Sequence, residues 1–101
     1  MLYVTNAFSL QMLTDSASLR VTRLELTPAL PETFVSAIGH ADMAELVSQQ
    51  VGRPVAANRH SVVLNPGDVV LVAQYTGPRL PEGTKTLPEG ATIVWWRVEH
   101  N

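Results

Sequence analysis

Helical periodicity is confined to one stretch of this chain, and strand-like sequence lies on both sides of it. From about Ser36 the residues Ile38, Ala41, Ala44, Leu46, Val47 and Val51 fit one apolar stripe, with Asp42, Glu45 and Gln49 on the other side. Gly52 followed by Pro54 supplies a stop. Upstream, LYVT at 2–5 reads as a strand, and LRVTRLEL at 19–26 alternates leucine or valine with polar residues such as Arg20 and Thr22, as a half-buried strand does. Downstream, HSVVL at 60–64 and VVLVAQY at 69–75 read as two strands joined by a tight turn at Pro66 and Gly67. ATIVWWRV at 91–98 reads as the last strand. The segment between the first two strands is too irregular for a strand, and TGPRLPEGTKTLPEG at 76–90 is the longest weakly structured stretch. The order strand, loop, strand, helix, strand, strand, loop, strand predicts an α+β (mixed α/β) fold, a single mixed β-sheet with helices packed on one face.

A chain of 101 residues fits one domain, here 1–101, and can bury a core without metal or disulfide staples. It has no cysteine, which excludes disulfide frameworks, thiolate metal sites and cysteine nucleophiles together. No apolar run approaches the roughly 18 residues of a membrane span, and the N-terminal segment is interrupted by Thr5, Asn6, Ser9 and Gln11 without a basic leader. A soluble, cytoplasmic protein with no membrane partner is expected. The formal charge of −2 argues against a binder of long nucleic acid, which normally carries a basic face, but is compatible with a small phosphate ligand. Six of the seven basic residues are arginine, the type suited to bidentate phosphate contacts.

His40 follows Gly39 where the helical pattern begins, a position where most histidines cap or pack. His60 and His100 show no ligand spacing, and no metal site or cofactor is expected. The sequence contains no G-x-G-x-x-G, no G-x-x-x-x-G-K and no G-x-S-x-G. RLPEG at 79–83 places Arg79 and Glu82 three apart in a Pro/Gly-rich loop. Asn6, Ser9, Arg59 and Gln74, taken singly, read as loop caps or surface residues.

Taken together, in unbroken order, NAFS at 6–9, VSAIGH at 35–40, NR at 58–59 before PGD, then Gln74 and RLPEG at 79–83 form a set. In these residues the chain resembles the small ring nucleases of archaeal viruses and phages, which act as anti-CRISPR proteins and have members encoded beside type III CRISPR systems. The resemblance implies a homodimeric enzyme that binds cyclic tetra-adenylate and cleaves it to linear di-adenylate, in the host cell cytoplasm if the protein is viral. It implies that His40 is the catalytic acid and that Arg79 and Glu82 are active-site residues. It implies ligand contacts from Asn6, Ser9, Gly39, Arg59 and Gln74. Two departures stand out: Met43 occupies a position where relatives often carry threonine, and Gly77-Pro78 alters the spacing from Gln74 to Arg79.

The chemistry suits the residues. A ribose 2′-hydroxyl can attack the adjacent phosphorus in line, so an enzyme has to fix geometry, offset charge and protonate the leaving 5′-oxygen. An imidazole titrates near neutral pH and can give that proton. A helix start with unpaired amides favours a nearby phosphate. A noncatalytic module that sequesters a cyclic oligonucleotide, a viral protein that contacts nucleic acid, and a structural dimerisation domain are the alternatives. The trio His40, Arg79 and Glu82 favours the enzyme, because sequestration needs no proton donor.

Overall fold

A computed structural model describes residues 1–101. Five strands form one mixed sheet: β1 Leu2–Thr5, β2 Leu19–Leu24, β3 Val35–Ser36, β4 Val69–Thr76 and β5 Thr92–His100, in the order β2-β5-β4-β1-β3. The one α-helix, α1, spans Ala41–Val51. β1 runs parallel to both β3 and β4, with Tyr3 opposite Val35 and Val70. β4 and β5 are antiparallel, as are β5 and β2. The α+β class and the single mixed sheet match the sequence expectation.

Alternation along β4 divides the core between the two faces of the sheet. Leu71 and Ala73 join Val4 and Trp95 beneath Met43, Ala44, Leu46 and Val47 of α1, so the amphipathic stripe of the helix covers this face. Val70, Val72 and Val98 face the other way, where Val62, Leu64, Met12 and Leu13 cover them. Ser48 ties the far end of the helix to the chain that follows: its hydroxyl donates to the carbonyls of Ala44 and Val55 and accepts from the Val55 amide at 2.8 Å. Gly52, with φ 71°, ends the helix in the left-handed conformation that glycine adopts most readily.

Two expected elements are corrected. HSVVL is not a strand, and no hairpin forms at Pro66-Gly67. Both neighbour positions of β4 are filled, by β1 and β5, so the segment before it has no ladder to join. Val62 and Leu64 are buried and Val63 is exposed, so the alternation records a chain lying across one face of the sheet. The helix also begins later than Ser36. Val35 and Ser36 pair with β1, and Ile38, fully buried, bridges to Ala57. Over so short a run, burial with period 2 at Ser36 and Ile38 fits the helical stripe as well, so pattern alone starts the helix too early.

Candidate active site

The three parallel strands point their carboxyl ends the same way, and that end of a parallel sheet is where the connecting loops leave room for a ligand. Asn6 is the first residue beyond β1, Gln74 and Tyr75 lie near the end of β4, and the chain leaving β3 runs through Gly39 to His40 at the start of α1. With the loop at 77–82 they enclose an open cleft of about 1000 Å³. Five of the eight residues expected at a site line it: Asn6, His40, Gln74, Arg79 and Glu82. Their convergence from four separate segments is a property of the fold and not of sequence proximity.

His40 is the N-cap of α1. Its φ of −113° is extended, and its Nδ1 accepts a hydrogen bond from the Met43 amide at 3.3 Å. Accepting that bond requires a bare Nδ1, which puts the proton of the neutral ring on Nε2. The ring is exposed. Gln74 also has a defined orientation, because the Trp96 indole donates to its Oε1 at 3.2 Å. That leaves the Gln74 amide nitrogen available as a donor.

Arg79 and Glu82 are exposed and form no ion pair; the ion pairs of the structure are Met1–Asp68 and Arg97–Glu99. The loop that carries Arg79 is anchored on both sides of it. The Tyr75 hydroxyl donates to the Pro78 carbonyl, and Leu80 packs against the core beneath α1.

Three expected residues do not line the cleft. Gly39 lies beside it, and the stem of Arg59 fills the space where a side chain would be: an added Cβ would meet Arg59 Cγ at 3.3 Å. Arg59 therefore stands one residue from His40 but outside the cleft. Ser9 caps a 3-10 turn, Leu10–Met12, by accepting from the Gln11 amide at 3.1 Å, and lines a different groove with His60 and Ser61.

Sequence reasoning missed Asp42 and Tyr75, which also line the cleft. Asp42 reads as one of several polar residues on a helix face, and only its place in the first turn, near an anion-attracting helix start, marks it. Tyr75 reads as part of an apolar strand. With Arg79 set against Asp42 and Glu82, the cleft has no net positive side-chain charge. Attraction for a phosphate there has to come from the helix amides and from Arg79 individually.

The STIV B116-like family model matches residues 2–91. The chain belongs to that family. Among solved structures it is similar to B116 of Sulfolobus turreted icosahedral virus, at 27% identity and a TM-score of 0.76, with 98% of each chain covered. The likeness to the viral protein thus extends over the sheet, the helix and the loop that completes the cleft. No curated protein sequence matches.

Proposed function

We propose that the protein is a metal-independent ring nuclease of viral origin that binds cyclic tetra-adenylate and cleaves it to linear di-adenylate. The messenger falls, and the effector nucleases of type III CRISPR immunity that depend on it switch off. The observation that carries this reading is the convergence of His40, Arg79 and Glu82 with Asn6 and Gln74 in one cleft, because a proton donor, a guanidinium and amide donors are what the reaction needs.

In the reaction the 2′-hydroxyl gives its proton to solvent water as its oxygen bonds to phosphorus, the bond from phosphorus to the 5′-oxygen breaks, and the 5′-oxygen takes a proton from His40. One product end is a 2′,3′-cyclic phosphate and the other a 5′-hydroxyl. Arg79 meets the charge that builds on the non-bridging oxygens, and Glu82 orients Arg79 or a ribose hydroxyl. As an acid His40 carries protons on both ring nitrogens, so the bond from the Met43 amide opens when the ring is protonated, and that amide becomes available to a phosphate oxygen.

A four-membered nucleotide ring contains a two-fold axis, so a two-fold dimer holds it with identical contacts and presents one His40 to each of two opposite phosphodiesters. A contact with Arg59, just outside the cleft of one chain, requires a ring that overhangs the cleft. Sedimentation at working concentration then gives a dimer, and a fully active monomer contradicts this part of the reading.

The test is incubation of purified protein and EDTA with labelled cyclic tetra-adenylate, with products separated by chromatography. Linear di-adenylate supports the enzyme. A ring that is bound stoichiometrically but stays intact supports sequestration instead, and a ring neither bound nor cut supports a structural dimerisation domain.

A further inference from the structure

The approach of Arg79 to the cleft is set by a turn whose stereochemistry is tightly specified. The chain leaves β4 at Thr76 and bends at Gly77, with φ 152°, a conformation that residues with side chains rarely adopt. A Cβ at Gly77 would lie 2.7 Å from the Cβ and 2.8 Å from the Cα of Ala91, the buried residue just before β5. The outgoing and returning ends of the loop therefore touch at its base. Pro78 follows with its fixed φ, and its carbonyl accepts the hydroxyl of Tyr75. The Tyr75 ring and the Leu80 side chain both pack on the core beneath α1, so Arg79 is suspended between two anchored neighbours while remaining exposed itself.

The geometry points to Tyr75 as a positioning residue: its hydroxyl, by holding the Pro78 carbonyl, fixes the peptide from which the Arg79 side chain springs and so presets that guanidinium over the cleft before ligand arrives. This rests on the ring-nuclease reading of Arg79, and it assigns Tyr75 no contact with the reacting atoms. The hydroxyl acts through one hydrogen bond, so its removal leaves the ring packing intact and releases only the turn. A purely structural tyrosine would change stability and leave the loop and the kinetics alone. A positioning tyrosine changes the loop and turnover and leaves ground-state binding nearly alone.

Two measurements on Tyr75→Phe separate these, one of them independent of catalysis. The first is the rate at which trypsin cuts the bond after Arg79, followed by mass spectrometry; the second is the kinetics of ring cleavage. The expected result is cutting after Arg79 that rises about fivefold and kcat that falls about fivefold, with KM changed less than about twofold. Gly77→Ala, which forces the same turn open against Ala91, should move both readouts the same way. Unchanged cutting and unchanged kcat in Tyr75→Phe would overturn the assignment, as would faster cutting with an unchanged kcat. If the wild type cuts no ring while Tyr75→Phe is digested faster, the turn-holding contact stands and the ring-nuclease reading is what fails.

Discussion

Asp68 and His40 lie at opposite ends of the same parallel strands, and the charged groups around them are paired at one end and unpaired at the other. At the amino end, Asp68, immediately before β4, is buried with both carboxylate oxygens occupied: one accepts from the Asn65 amide at 2.9 Å and the other from the Met1 amino group at 3.1 Å. The Asn65 amide and the Met1 ammonium hold its pKa below the usual carboxylate value, against the opposing effect of burial. At the carboxyl end, Arg79, Glu82 and Asp42 are gathered around one cleft without ion-pairing to one another. One end satisfies its polar groups internally and holds the sheet together. The other leaves its charged side chains unpaired and free to meet something from outside.

That contrast breaks most readily at His40. His40→Ala should lower ring cleavage by about 10²–10⁴-fold, the usual contribution of a general acid. Loss of the cap should also remove about 1 kcal/mol of stability, seen as a fall in Tm. Arg79→Ala should lower kcat by about 10²-fold while ring affinity, followed by calorimetry, changes far less; equal losses in both would remove Arg79 from the transition state.

Smaller effects sharpen the other side. Asp68→Ala should cost about 2 kcal/mol in denaturant unfolding and leave ring cleavage intact, because it removes a buried charged acceptor from two donors at the end of the sheet away from the cleft. Because the folded pKa of Asp68 is lowered, its contribution is fully present above the unfolded value near 3.8 and is lost as pH falls through the folded value. The stability gap between wild type and Asp68→Ala should therefore narrow as the pH drops below about 4. Ser48→Ala should cost about 1 kcal/mol and leave kcat unchanged, since its hydroxyl serves only the far end of α1.

Much of the fold was legible from local pattern. β2 follows from its alternation, although Val21 stays exposed; β1, β4 and β5 follow from short apolar runs and most of α1 from the 3.6 period. β3 was not, because two residues carry no period, and HSVVL misled because a segment lying across a sheet face buries alternate residues much as a strand does. At the site, His40, Arg79 and Glu82 were visible through motif order. Tyr75 is hidden in an apolar strand, since its contact with the Pro78 carbonyl depends on a turn closed against Ala91 at the other end of the loop. Motif order names Arg59 and Ser9 as well; Ser9 caps the 3-10 turn, the stem of Arg59 lies against Gly39, and neither lines the cleft.

In this reading His40 does more than cap its helix, and His40→Asn separates the two duties. Asparagine caps well but cannot serve as an acid at neutral pH. His40→Asn should keep the Tm of the wild type within a few degrees and bind cyclic tetra-adenylate within about threefold, yet release no linear di-adenylate in the time the wild type consumes the ring. Cleavage by His40→Asn at the wild-type rate would contradict it and leave His40 a cap alone.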